Sequence, residues 1–516
     1  MRISKSDYLI GRHCSRRLWL RKRSEEPEPA TNSAAEWEMR RREGVAIEAL
    51  VEGLIDAAEV GRERREFERR DPQLKDVDAR EARTRRLIAT RDVVFQAYLK
   101  TDALLAVADV LEPRDGGWYL WEVKASTKVT PLFDHDLAFQ VEVARASGLE
   151  IVGAGIWLLD KTYVRQGDLE PERLMMAVDR SAEVAELGDS TRVEMARQHA
   201  LVANDEIPMA APGPRCKESR GNAAGDRPST CGHLGRTGYC GAQLPMHWIG
   251  HLPEIYRPTA APLLRREDQS IESLSLDDPE LVLTTHQRHA ILAVQTGEPW
   301  IGVDGLRSEL GKMRWPRTYV DFEYDTGMGI PRHDGSWAYA TMPFQWSIHI
   351  QREAGAELEQ PEPFLWLSEE DPRRAFTDSL LAAIPKVGSV IVHYRNAEST
   401  VLSQLSAFLG ADYVARIEAI QARLYDTIDL LKAGYLHADQ QGSFSIKKAA
   451  PAILGHGYEG LGIQDGMAAV VSWKKSLDPE TDDATRQQIK DDLLVYCGQD
   501  TLLMHEMVME LQRLAN

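Results

Sequence analysis

Two sets of acidic residues stand at spacings that could grip a cation. In the first, Asp109 follows an apolar run from Ala103 to Ala108, and Glu122 and Lys124 lie two apart in Trp118-Tyr-Leu-Trp-Glu-Val-Lys124. In the second, Asp321 and Glu323 lie two apart in Tyr319-Val-Asp-Phe-Glu323, and Tyr496 and Asp500 lie four apart further on. Carboxylates converging on a divalent cation suit phosphodiester hydrolysis. The cation activates water, and a nearby ammonium stabilises charge or orients the nucleophile. Each pattern is weak alone, because acids and lysines on strands are most often solvated. Their meaning depends on the elements that position them.

Side chains alternate faces along a strand, so Glu122 and Lys124 point one way, as do Asp321 and Glu323. Gly116-Gly117 supplies a turn between the first two apolar runs, and pairing of those runs brings Asp109 to its neighbours. Around this hairpin the pattern predicts a capped helix start at Ser4 to Asp7, a helix from Trp37 to about Glu59, and a charged helix and connector over 61–92. After it come a helix over 132–147 carrying Gln140, strands at 151–159 and 175–179, and a helix over 182–202. The second set predicts strands at 319–323, 342–350 and 363–367, a helix over 373–384 and a strand at 389–394. Tyr496 and Asp500 share one face of a late helix. Strands alternating with helices place the chain in the α/β class.

With 516 residues, 43% hydrophobic and 28% charged, the composition is that of an ordinary globular protein of roughly two to four domains. No apolar run reaches the ~18–20 residues of a membrane span, and the first residues lack the apolar core of a signal peptide. A cytoplasmic protein with no membrane partner is expected. Five cysteines in a reducing compartment suggest metal ligation over disulfides. The net charge of −18 argues against broad binding to polyanions, although metal-holding carboxylates contribute to it. Arg12, Arg16, Arg17, Arg21, Lys22 and Arg23 form a run without an acid. They could hold a phosphate backbone or form a solvated helix face.

The first half resembles the RecB-type branch of the PD-(D/E)XK nucleases, on the strength of Asp109, Glu122-Val-Lys124 and Leu137-Ala-Phe-Gln140. The resemblance implies that Asp109 and Glu122 bind Mg2+ or Mn2+, that Lys124 assists the nucleophile, and that Gln140 fixes the lysine or the phosphate. The branch often continues Q-x3-Y, whereas Ala144 stands here. It often carries a metal-binding histidine in G-x3-H, where Gly44-Val-Ala-Ile-Glu48 puts a carboxylate. Glu48 is a candidate magnesium ligand, or an exposed helix glutamate. One cysteine ahead (Cys14) and three behind (Cys216, Cys231, Cys240) resemble the AddB-type iron–sulfur nucleases, which implies a [4Fe–4S] cluster. The three later cysteines lie farther apart than the family's C-x2-C, and zinc on the same thiolates is the alternative.

The second half resembles the DnaQ-type DEDD exonucleases of the RNase H-like fold. There Asp321, Glu323, Tyr496 and Asp500 match the motif, and Glu398 stands where a middle aspartate is usual. Asp426 and Asp429 are fallback ligands, Lys447 reads as a surface lysine and Cys497 as a packing residue. The implied organisation is a nuclease domain over 1–245, a helical connector over 246–316 with short helices at 270–276 and 286–296, and an exonuclease-like domain over 317–516. The implied function is metal-dependent hydrolysis of nucleic acid, DNA before RNA. The alternative is a catalytically weakened nucleic-acid-binding or scaffold protein.

Overall fold

The computed structural model describes residues 1–25, 31–55, 77–208, 244–255, 262–263, 266–326 and 329–516. Cys216, Cys231 and Cys240 lie outside the described residues, as does most of the charged stretch before residue 77. The fold is mixed α/β, and the chain divides into two compact units, Met1–Leu234 with Met328–Tyr339, and Gly235–Gly327 with Ala340–Asn516. No helix among the described residues is long and apolar enough to cross a membrane.

The first unit opens with β1 (Ile3–Ser4), α1 (Lys5–His13), α2 (Ser15–Lys22), α3 (Thr31–Leu54) and α4 (Val77–Ala89). Ser4 and Asp7 form the predicted capping box at the head of α1. Strands β2 (Val94–Lys100), β3 (Leu104–Arg114) and β4 (Gly117–Val123) follow, then α5 (Pro131–Ala146), β5 (Ile151–Leu159), α6 (Pro171–Leu174), β6 (Met175–Asp179) and α7 (Ser181–Ala203). Gly116, at φ +82°, closes the β3–β4 hairpin in a conformation that favours glycine. β4 runs parallel to β5, which needs the α5 crossover, and β5 runs antiparallel to β6. Trp118 and Leu120 of β4 enter one core with Leu137, Phe139 and Val141 of α5, while Trp121 enters another with Ile47 and Val51 of α3.

Strand β2 was not anticipated from the charged stretch before it, and it matters. It pairs antiparallel with β3 on both sides of Gln96 and Asp109: Phe95 faces Val110, and Ala97 faces Ala108. Ala108 and Leu111 nevertheless enter the same core, which an unbroken alternation would forbid. Gln96 has φ +52°, so the strand is locally distorted where it meets Asp109.

The second unit includes much of the segment read as connector. After a 3-10 turn at Ile271–Ser273 come α8 (Thr285–Thr296), β7 (Trp300–Ile301) and α9 (Val303–Leu310). A short turn thus replaces the helix expected over 270–276, and α9 was not foreseen. α9 lies so close to a later helix that a Cβ on Gly305 would sit 2.1 Å from the Ala433 carbonyl. The main sheet holds β8 (Arg317–Asp325), β9 (Met342–Gln351), β10 (Leu358–Glu359), β11 (Phe364–Leu365), β12 (Ser389–Val392) and β13 (Leu424–Asp426). Its order is β10-β9-β8-β12-β13, with β11 also on β9. Helices α10 (Arg373–Ala383), α11 (Arg395–Leu409), α12 (Ala411–Gln421) and α13 (Thr427–Gly434) interleave with these strands. β14 (Tyr435–Leu436) pairs with β7, and α14 (Ile446–Leu454), α15 (Gly466–Leu477) and α16 (Asp483–Ala515) complete the unit. All ten residues of β9 are buried, as befits a strand covered on both faces. Val320 and Phe322 of β8 pack into a core with Phe376, Leu380, Val401 and Leu405. Alternation therefore sends Tyr319, Asp321 and Glu323 to the other face.

Candidate metal centres

That other face is covered by α16. Gln345, opposite Glu323 in the sheet, donates from Nε2 to the Leu493 carbonyl at 2.7 Å, and Ser347 and His349 bond the Thr501 hydroxyl at 3.2 and 2.8 Å. These bonds set the register of the helix on the strands. Asp500 consequently meets Asp321 and Glu323, and one oxygen from each of the three carboxylates lies within 4.8 Å of the others. It is the one such grouping of three or more metal-donor side chains among the described residues.

Three carboxylates at that separation, Glu323 and Asp500 buried and Asp321 half-buried, cannot all ionise cheaply. Burial, then the charges of its neighbours, raises Asp321 and Glu323 well above the ordinary carboxylate range. Asp500 is pushed up to about 6, mainly by burial, against the hydrogen bonds and positive charge that favour its ionised form. Tyr458, from the loop after α14, donates its hydroxyl to Asp500 Oδ1. Tyr496 also bonds Asp500, and its own hydroxyl receives Lys447 Nζ at 3.2 Å. Lys447 was expected at the surface; it is half-buried, lies 5.2 Å over the Tyr496 ring, and its charge opposes part of the rise in both Glu323 and Asp500. Cys497 packs as expected, with Sγ 3.5 Å from Asp321 Oδ2.

Glu398 stands on the first turn of α11, buried, with Oε2 lacking a hydrogen-bond partner. Burial, with Asp426 and Asp500 adding, pushes its carboxyl up to about 8. It is electrostatically linked to the triad without closing to the triad's distance. The fallback ligands are otherwise engaged. Asp426 accepts the Tyr394, Arg395 and Ile428 amides at 3.0, 2.8 and 3.0 Å, and Asp429 pairs with Arg395 at 3.2 Å.

In the first unit the hairpin register, Val110 facing Trp121, puts Asp109 across from Glu122 one step on. Asp109 Oδ2 accepts the Val123 amide at 2.7 Å, and Oδ1 accepts Gln96 Nε2 at 3.0 Å. The same Gln96 nitrogen reaches Glu48 Oε2 at 2.9 Å, so the distorted residue of β2 ties α3 to β3. Glu48 is half-buried and turned to this site. Burial, then Glu122 and Glu48, raises Asp109 well above its usual range.

Glu122 is held differently. Oε2 accepts Gln140 Nε2 at 2.6 Å, and Oε1 accepts both Lys124 and Lys5 at 2.7 Å. Burial opposes its charge, but the two ammoniums win and hold it far below the ordinary range. Gln140 also donates to Asp136 Oδ1 at 3.0 Å, so it grips two carboxylates where a lysine or phosphate contact was expected. Asp136 Oδ2 takes Lys124 at 2.5 Å. Lys5, Gln96, Asp136 and Tyr458 contact the candidate site carboxylates and were missed by pattern reading. Asp136 alone left a legible signal, being four before Gln140 and hence on its face of α5.

The cation run of α1 and α2 is largely spent on the fold. Arg21 and Lys22 pair with buried Asp7 at 3.1 and 2.9 Å, Arg23 covers the Trp19 ring at 3.9 Å, and Arg12 meets His135 at 2.8 Å. Cys14 caps α2, its Sγ accepting the Arg17 amide at 3.4 Å.

A family described as a domain of unknown function (DUF2779) matches residues 318–445. The match takes in Asp321, Glu323 and Glu398 and stops before Tyr496 and Asp500. Comparison with curated proteins and with solved structures gives no match.

Proposed function

We propose that the protein is a metal-dependent nuclease with two hydrolytic centres, a RecB-like PD-(D/E)XK module followed by a DnaQ-like exonuclease module, acting on DNA in the cytoplasm. The observation that carries this reading is the closure of Asp321, Glu323 and Asp500 to within 4.8 Å across two elements far apart in sequence. Their shared repulsion and raised protonation suit a site completed by cations, and an all-oxygen donor set suits Mg2+ or Mn2+. A bound divalent pair would supply an activated water and charge neutralisation on the phosphate. The chain's own part is to orient: Tyr458 and Tyr496 fix Asp500, and Lys447 fixes Tyr496.

In the first centre Asp109, Glu122 and Glu48 are the proposed metal residues, with Lys124 at the nucleophile. Gln96 and Gln140 hold the carboxylates in place. The proposal extends to a [4Fe–4S] cluster on Cys14, Cys216, Cys231 and Cys240. Cys14 fits such a role in being half-buried at the head of α2. One observation favours the weakened-scaffold reading: both oxygens of Glu122 are already taken by side chains. Release of labelled nucleotide from DNA with Mn2+ decides between them, comparing wild type with Asp109→Ala, Asp321→Ala and the double variant. Loss of release in the double variant supports catalysis; four equal rates would end the nuclease reading.

A further inference from the structure

Lys5 is the first residue of α1, held in register by the Ser4–Asp7 capping box. Its ammonium reaches Glu122 Oε1 at 2.7 Å and lies 3.8 Å from Asp136 Oδ2. Lys124 contacts the same two oxygens, at 2.7 and 2.5 Å. Two lysines therefore share one pair of acceptors, and they share it unequally. Lys124 is chelated by both carboxylates, and its side chain is 18% exposed. Lys5 has one short bond, and its side chain is 29% exposed. Glu122 Oε2 is occupied by Gln140, which is pinned in turn by Asp136. For Glu122 to take a cation, Oε1 must be vacated, and Lys5 is the partner with less to lose.

We propose that Lys5 is a resident counter-cation of the first centre: it occupies Oε1 of Glu122 until a divalent cation displaces it, and so sets how tightly that cation binds. This rests on reading the first centre as a metal site. The neutralisation has a clear physical purpose. Glu122 and Asp136 share the ammonium of Lys124, Asp109 and Glu48 share the amide of Gln96, and leaving that much negative charge uncompensated out of water would be costly. An ammonium on a flexible four-carbon stem supplies compensation that can swing away, which a second chelated lysine could not. The released ammonium stays tethered beside the site, where an entering phosphate gives it a new partner.

The test uses the full chain carrying Asp321→Ala, which silences the second centre, and measures Mn2+ binding by the loss of the free-ion EPR signal. Adding Lys5→Met should tighten Mn2+ binding roughly tenfold or more, because an ammonium competing for the ligand has gone. Lys5→Arg, which keeps the charge, should stay near the parent. A purely structural Lys5 would weaken binding when lost, and binding no tighter in Lys5→Met than in the parent overturns the proposal. DNA cleavage is scored on the same proteins. A parent that binds Mn2+ and cleaves nothing fails the nuclease reading and leaves the Lys5 result standing on its own.

Discussion

Glu398 offers the sharpest handle on the second centre. Its carboxyl is raised from the ordinary 4.5 to about 8, chiefly by burial. An acid with a raised native pKa binds more protons folded than unfolded, so stability falls as pH rises from the unfolded value through the folded one. At about 1.36 kcal/mol per pH unit that interval is on the order of 5 kcal/mol, all of it lost above pH 8 in the metal-free protein. Glu398→Gln keeps the shape and cannot ionise. In EDTA the variant should match wild type at pH 5 and become progressively more stable, by about 3–5 kcal/mol at pH 8.5. Removing the charge also eases Asp321, which feels Glu398, so the coupling works in the same direction. Native-state hydrogen exchange of β8 and β12 amides reads the second unit by itself. Excess Mn2+ should narrow the gap, since a cation offsets the ionised glutamate. Parallel stability–pH curves for the two proteins would refute the reasoning, because they would mean that Glu398 is solvated or paired in the native state.

Two further outcomes follow from the first unit. Asp136→Ala leaves Lys124 with one of its two carboxylates and should cost roughly 3 kcal/mol in urea unfolding of that unit; an unchanged midpoint would show that the cluster is loosely held. Protein purified without oxygen should be brown and contain iron, and Cys14→Ala should lose both; a colourless, zinc-loaded preparation would replace the cluster by a zinc site.

Much of the architecture was legible because it follows from periodicity. The β3–β4 hairpin, α5 with its buried stripe, β5, α7, β8, β9 and α10 all fall where alternation, apolar runs and turn residues put them. What escaped was short or masked by charge. β1 has two residues and β2 follows an Arg-rich stretch, so neither carries a long enough pattern. α9 belongs to the second unit through contacts with a helix more than a hundred residues later, which no local signal announces. The cation run shows the opposite failure: a conspicuous pattern in sequence turned out to be bound to Asp7, Trp19 and His135.

The sequence by itself determined which candidate site residues share a face. Glu122 with Lys124, Asp321 with Glu323, and Tyr496 with Asp500 are set by the two periods of strand and helix wherever those periods run unbroken. Only the tertiary structure decided which of these pairs meet and what balances their charge. Asp500 reaches Asp321 because Gln345 and Thr501 pin α16 to the sheet. Lys5, Gln96 and Tyr458 enter the sites from elements that carry no motif, and Asp136 enters from α5, one turn before Gln140. The physical reason is that burial sets the demand: carboxylates taken out of water need partners at contact distance, and any donor the fold delivers there will serve.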